Sequence, residues 1–401
     1  MILLSHMNQV QTAVVVIPTY NEAENIGKMI EYLNTKTFPK IEANSPKWRM
    51  KILVVDGNSP DGTGDVVKKY AQKYKNVYLY TETSKDGIGA AYLKGFKYSL
   101  DELGADFVFE FDSDFQHPPE TIPVMLKAMD EGYDHVIGSR KIKGGSNPKG
   151  WGFKRVFFSE VGGFIARMIM FFPFKNFFKV TDPTTGLKVT RVKGFIDKMD
   201  LDWKGKRLLT KSFGYKLQLL YEILQMGAKF KEIPLQFNVR NAGESKIEAS
   251  TAKDIFRVAF LLRWFDTTTQ KFIKFGTVGF IGYLVNAIFL NVFAKVFSTE
   301  ILIWIFATEM AIISNFILNN IWTFKSDTIT GKALVHKFLS FNFTSIGALI
   351  IQSVVGAIVV NAFGPAYRQI SLPFIILFLV MPYNWFVYNK LIWKKKIKKL
   401  P

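Results

Sequence analysis

Cysteine is absent from the 401 residues. That excludes disulfides, thiolate metal sites and cysteine nucleophiles. Acids are scarce in one region only. Residues 271–401 hold 13 Lys and Arg against 3 Asp and Glu, whereas residues 1–270 hold 39 and 30. A soluble domain does not have that C-terminal composition. Other signatures are also missing. No Gly-x-Gly-x-x-Gly follows the first expected strand, which argues against a dinucleotide dehydrogenase. No Gly-Lys-Ser/Thr loop marks a P-loop ATPase. Leu262-Arg263-Trp264 lacks the Gln of the Gln-x-x-Arg-Trp motif expected of a processive polysaccharide synthase. No apolar run of secretory-signal length is expected at the start.

What is present rules out disorder, because 49% of the residues are hydrophobic. The length predicts two or three domains. The net charge of +19 invites a nucleic-acid reading. The basic residues gather at the edges of apolar stretches, where anionic lipid headgroups are the simpler partner.

Four such stretches lie in the C-terminal third: Phe275–Ala294, Ile301–Phe324 with only Glu309 charged, Phe338–Tyr367 and Gln369–Asn389. About twenty apolar residues span a bilayer core, so four transmembrane helices are expected. Lys325, Lys332 and Lys337 occupy the middle connector, and Lys394–Lys399 is a basic tail. The positive-inside bias puts both termini in the cytoplasm. Trp304, Trp322, Trp385 and Trp393 sit near span ends, as interface anchors would. Glu309 lies close enough to a helix end to snorkel.

The N-terminal part alternates short β-branched runs with helical patterns. Strands are expected at Val14–Ile17, Lys51–Val55, Val77–Tyr80, Phe107–Phe111 and His135–Ile137. Helices are expected at Asn21–Asn34, Thr63–Tyr74, Gly87–Leu103 and Pro119–Asp130. The alternation predicts an α/β, doubly wound, mostly parallel sheet of Rossmann-like type. Ligands sit at the C-terminal strand ends of such sheets. Polar clusters fall at three of those ends: Pro18–Glu22, Asp56–Thr63 and Asp112–His117. Asp112-x-Asp114 puts two carboxylates just past an apolar strand, where they can share a hard cation such as Mg²⁺ or Mn²⁺ and bridge it to a diphosphate. Gln116 offers a further oxygen. The glycines of Lys85-Asp86-Gly87-Ile88-Gly89 let backbone amides approach a phosphate at a helix start.

Taken together, Ile17–Glu22, Val54–Thr63, Phe111–Glu120, Ile137–Arg140, Asp182–Leu187 and Ile233–Lys246 resemble the family-two inverting glycosyltransferases, and among them the dolichyl-phosphate mannose synthases. The resemblance covers roughly residues 13–247. Lys274–Gly282, Asn286, Asn315–Asn319 and Trp322–Phe324 are similar to the GtrA-like four-helix membrane proteins. Archaeal mannose synthases join both parts in one chain. Two features depart from the pattern. Leu220 stands where the family commonly has an acid two residues after Gln218, and Lys36–Lys51 lengthens the loop before the second strand.

The resemblance implies a GT-A fold, GDP-mannose as donor and dolichyl or another polyprenyl phosphate as acceptor. It implies that Pro18, Tyr20, Glu22, Asp56, Asp61, Lys85, Asp112, Ser113, Arg240 and Lys246 serve the nucleotide sugar. Asp112, Asp114 and Gln116 would hold Mg²⁺ or Mn²⁺. Arg140, Arg155 and Ser159 would hold the acceptor phosphate, with Asp114 and Arg140 the catalytic pair. The expected organisation is a catalytic domain over 1–248, an amphipathic interface helix and linker over 249–270, a four-helix membrane domain over 271–393 and a basic tail over 394–401. Phe157–Phe178 and Thr251–Phe265 are amphipathic and expected to lie in the membrane interface. Two alternatives stay open: a UDP-glucose-dependent polyprenyl-phosphate glucosyltransferase, and a non-catalytic flippase or scaffold for lipid-linked sugars.

Overall fold

The computed structural model describes residues 10–148, 151–172, 174–204, 209–210, 212–239, 249–293, 295–297, 300–325, 328–363 and 373–387. The chain forms two compact units, Met1–Arg263 and Trp264–Pro401. The dividing point falls before the expected 270/271 boundary.

The first unit is built on a seven-stranded sheet. Its strands are β1 Gln11–Thr19, β2 Trp48–Asp56, β3 Val77–Thr81, β4 Phe107–Glu110, β5 His135–Ser139, β6 Lys188–Arg191 and β7 Phe230–Pro234. They lie in the order β3-β2-β1-β4-β6-β5-β7. β6 runs antiparallel to β4 and β5, and the other pairings are parallel. The parallel, doubly wound expectation therefore describes the fold.

The central strands are apolar on both faces because helices cover both. Alternate residues of β1 and β2 feed opposite cores. Val15, Ile17, Ile52 and Val54 pack with Ile26 of α1 (Ala23–Tyr32), Val67 of α3 (Thr63–Lys73) and Met125 of α5 (Thr121–Asp130). Val14, Val16, Leu53 and Val55 pack with Phe96 of α4 (Ile88–Asp101) and Tyr215 of α8 (Tyr215–Gln225). A Cβ on Gly95 would overlap the Val16 side chain, so glycine is what lets α4 lie so close to β1.

Three elements differ from the sequence expectation. The segment read as a loop before β2 contains a helix, α2 (Phe38–Asn44), because Phe38 and Ile41 share a face and bury it in the core. β6 reads Lys-Val-Thr-Arg, without a strand's apolar alternation. Its Lys188 is nevertheless fully buried, opposite Glu110 in the β4 register, with 3.9 Å between Nζ and Oε2. Burial pushes the Glu110 carboxyl up and the Lys188 ammonium down from their ordinary pKa values. β7, which closes the sheet edge, also escaped the sequence pattern.

α6 (Phe153–Phe171) and α9 (Ala249–Phe265) pack against α8. Ala166, Met170, Val258, Ala259 and Leu262 are buried with Leu217 and Leu220. Leu220 is fully buried there, so an acid at that position would enter an apolar cluster. The outer faces stay apolar and open: Phe153 of α6 is 84% exposed and Phe260 of α9 55%.

The second unit is helical: α10 (Thr267–Phe293), α11 (Glu300–Leu318), α12 (Lys332–Phe363) and α13 (Met381–Val387). Each of the four expected stretches contains helix. Among the described residues, one helix, Thr267–Phe289, is long and apolar enough to cross a membrane, and Pro373–Val387 is a shorter apolar helix. Glu309 does not depend on a helix end for polar contact, because its carboxylate accepts a hydrogen bond from Asn342 Nδ2 on α12. Trp385 packs edge-on against Phe272 and Phe275 of α10. The Lys394–Lys399 tail and Trp393 lie outside the described residues.

Candidate active site

A cavity of about 1070 Å³ opens at the C-terminal ends of β1, β2 and β4 in the first unit. The three polar clusters share a backbone property. Among the described residues, the non-glycine positions with positive φ are Asn21 (55°), Asn58 (57°) and Phe115 (62°), one in each cluster. Asparagine tolerates this conformation through its short polar side chain, but a bulky aromatic rarely adopts it. Strain of order 1–3 kcal/mol is characteristic of functional loops. At Phe115 the left-handed turn lies between Asp114 and Gln116, and both of these line the cavity.

Eleven of the residues singled out from sequence line this cavity: Pro18, Tyr20, Glu22, Lys85, Asp112, Ser113, Asp114, Gln116, Arg140, Arg155 and Ser159. Asp56 and Asp61 do not. Asp56 Oδ1 accepts from Thr19 Oγ1 at 3.2 Å and Ser59 Oγ at 2.6 Å, and Oδ2 accepts from the Ser59 amide at 3.0 Å. Asp61 accepts from the amides of Ala23 and Thr63 and from Thr63 Oγ1. Burial opposes the Asp61 charge, but these donors hold its carboxyl below the usual carboxylate range. Both acids bind their own loops together. Arg240 and Lys246 lie outside the described residues.

The wall at the end of β3 carries an acid the sequence reading missed. Glu82 follows the end of β3, lines the cavity and is 4% exposed. Lys94 Nζ donates to Glu82 Oε1 at 2.5 Å and to Asp86 Oδ2 at 2.6 Å. Burial lifts the Glu82 carboxyl above its usual pKa, against the pull of Lys94. Beside it, Lys85 Nζ sits 3.5 Å from the centre of the Tyr20 ring, a cation–π contact.

At the centre, the Gln116 amide donates to Asp114 Oδ1 at 3.1 Å. The Asp112 amide donates to His117 Nδ1 at 3.3 Å. Burial lowers the His117 pKa to about 4, so the imidazole is neutral and its Nδ1 accepts. Among the described residues no three His, Asp or Glu side chains converge as an all-protein metal cage. The Asp112 and Asp114 carboxylates and the Gln116 side chain line the same cavity, an oxygen-donor set of the kind that would suit a hard cation.

The far end is cationic. Arg140 is clamped by Asp182 through Nε–Oδ2 and Nη2–Oδ1, each 2.7 Å, and Nη2 also reaches Thr184 Oγ1 at 3.1 Å. Burial opposes both charges. The pairing outweighs it, raising the arginine pKa and lowering that of the aspartate. Asp182 therefore already neutralises the first of the three residues, Arg140, Arg155 and Ser159, expected to hold the acceptor phosphate. Arg155 stacks 4.2 Å over Trp151. Lys216, absent from the sequence reading, is 6% exposed on the first turn of α8 and lines the cavity. No carboxylate lies within 4.0 Å of it among the described residues. A side chain on Gly186 would overlap its Nζ. The Tyr215-x-x-Gln218 pattern was the available signal, but a lysine at the start of a helix looks solvated in sequence.

Known families resemble both parts of the chain. The model described as glycosyl transferase family 2 matches residues 14–195. The dolichol-phosphate mannosyltransferase of Pyrococcus furiosus is 31% identical over 343 residues, covering 85% of this chain and 88% of the relative. The chain belongs to the family 2 glycosyltransferases. An undecaprenyl-phosphate mannosyltransferase of Micrococcus luteus is 32% identical over 62% of this chain and 92% of its own. The model described as the GtrA/DPMS transmembrane domain matches residues 274–393, which makes this family member a membrane protein. Among solved structures, mannosyl-3-phosphoglycerate synthase from Rubrobacter xylanophilus aligns over 63% of this chain and 74% of its own, at 19% identity and a TM-score of 0.45. That likeness is too loose to bear on function.

Proposed function

We propose that the protein transfers mannose from GDP-mannose to a dolichyl or other polyprenyl phosphate, with inversion, at the cytoplasmic membrane face. One observation carries this reading. A single cavity joins the Tyr20, Gly57 and Glu82 wall beside the sheet edge, the Asp112–Asp114 pair and a cationic end with Arg155, Ser159 and Lys216. The names of the relatives support the sugar and the lipid class.

The acceptor phosphate is anionic near neutral pH, since its second pKa is about 6. It needs alignment more than a base. Arg155, Ser159 and Lys216 hold it in line with the anomeric carbon. The Asp182-clamped Arg140 offers the edge left over from its pairing. A phosphate oxygen attacks the anomeric carbon from the face opposite the leaving group. The bond from that carbon to the diphosphate breaks, and GDP leaves with the electron pair. Asp112, Asp114 and Gln116 would hold Mg²⁺ or Mn²⁺, which supplies positive charge to the departing diphosphate. The neutral His117 fixes the Asp112 backbone. The exposed aromatic faces of α6 and α9 rest in the bilayer surface, and the four C-terminal helices span it with the Lys-rich ends in the cytoplasm.

The test offers purified protein GDP-mannose or UDP-glucose with a polyprenyl phosphate, and with Mn²⁺ or a chelator. Metal-dependent mannosyl lipid from GDP-mannose alone is expected. Glucosyl lipid would move the donor assignment. Nucleotide binding with no product from either donor would favour a flippase or scaffold.

A further inference from the structure

Two glutamates line the nucleotide end of the cavity: Glu22, whose Oε2 accepts from Asn25 Nδ2 at 2.8 Å, and Glu82. Asp56 and Asp61, the acids expected there from sequence, spend their oxygens on loop donors and do not line the cavity. Glu82 lines it. Its amide donates to the Asp56 carbonyl at 2.8 Å, which fixes the residue at the joined ends of β2 and β3. Lys94 engages Oε1, one of about four lone-pair positions on the carboxylate. Oε2 faces Gly57. A Cβ built on Gly57 would lie 3.4 Å from Glu82 Oε2 and 3.3 Å from Tyr20 Cδ2. The Tyr20 ring, with Lys85 over one face, and the Glu82 carboxylate therefore flank the bare backbone of Gly57, and all of these residues line the cavity.

We propose that Glu82 reads the base of the nucleotide and selects guanine over uracil. Guanine presents two adjacent donors, N1–H and the exocyclic N2 amine, to a carboxylate. Uracil presents a single N3–H between two carbonyl oxygens, which a carboxylate repels. Hypoxanthine keeps N1–H and lacks the amine. A site built to accept a donor rejects the analogue that lacks it, because its own polar group is then left unpaired. The inference rests on the reading that this cavity takes a nucleoside-diphosphate sugar, and it names the residue that chooses the base.

The experiment measures binding of GDP, IDP and UDP to the full-length protein in detergent, wild type and Glu82→Gln. The wild type should bind GDP at least roughly ten-fold more tightly than IDP, and UDP more weakly still. Glu82→Gln turns one acceptor into a donor. The GDP-to-IDP ratio should fall to about one, and UDP should gain relative to GDP. Lys94 keeps Asp86 in the variant, and a ratio of affinities does not depend on the folded fraction. Wild type that binds GDP and IDP equally overturns the inference while leaving the donor reading intact. So does a variant that keeps the wild-type ratio. Wild type that prefers UDP overturns the guanosine donor itself, and the inference with it.

Discussion

Lys216 and Gly186 depend on each other. Only a glycine leaves room for the Lys216 ammonium at the cationic end of the cavity. A charge-assisted hydrogen bond to a phosphate contributes about 1.5–3 kcal/mol. Lys216→Met should therefore lower transfer roughly ten- to a hundred-fold, mainly through the acceptor. Gly186→Ala should do the same by displacing the ammonium. Steady-state kinetics with varied polyprenyl phosphate checks both, and unchanged kinetics in either variant contradicts the role. His135 is a different buried group, remote from this chemistry. Its Nδ1 lies 2.9 Å from Thr190 Oγ1, and burial lowers its pKa from 6.5 to about 3. The unfolded chain thus binds more protons between those values, so stability should rise with pH across that window. The slope is at most about 1.4 kcal/mol per unit from this residue, and it is complete above pH 6.5. Denaturant unfolding from pH 4 to 7 measures it, and His135→Gln should flatten it. At this scale the sequence marked which strand ends line the cavity, since Asp112, Asp114 and Tyr20 sit directly after apolar runs. It did not separate Asp56, whose oxygens close a loop, from Glu82, whose carboxylate faces the cavity. That difference lies in which donors the folded backbone brings near each acid.

Among the elements, β6 is one whose sequence hides it. Its strand forms because Lys188 meets Glu110 across the sheet and donates to the Lys216 carbonyl at 3.1 Å. The same contact ties the sheet to the first turn of α8, where Lys216 sits. Removing one partner of a buried pair costs about 3–5 kcal/mol, whereas replacing both can be nearly neutral. Lys188→Met should therefore destabilise the protein by that amount, and Lys188→Met with Glu110→Gln should recover most of it. Unfolding midpoints of the single and double variants decide this. A double variant as unstable as the single would show that the pair is not what matters. α6 offers a second element-scale prediction. Ser at Phe153 and Phe157, both on the open face, should weaken transfer to a long polyprenyl phosphate in vesicles several-fold. Transfer to a short, water-soluble isoprenyl phosphate should hardly change. The periodic elements β1 to β5 and their helices were legible because strands covered on both faces are continuous apolar runs. α2 was not, because its two buried residues, Phe38 and Ile41, sit among lysines.

As a whole, the molecule joins a family 2 glycosyltransferase unit to a GtrA/DPMS membrane unit. The composition split at residue 270 announced that division, since a chain nearly free of acids and rich in Phe and Ile belongs in lipid. The central claim concerns the first unit: Asp112 and Asp114 serve a mannosyl transfer from a guanosine donor to a lipid phosphate. The most direct measurement incubates full-length protein with radiolabelled GDP-mannose and polyprenyl phosphate in detergent, then reads label in the organic phase and the anomeric configuration of the product. Wild type should give mannosyl lipid of inverted configuration. Asp114→Asn should give at least roughly a hundred-fold less, as expected when a group that stabilises developing charge is lost. Mannosyl lipid formed equally by wild type and Asp114→Asn, or with retained configuration, would contradict the account.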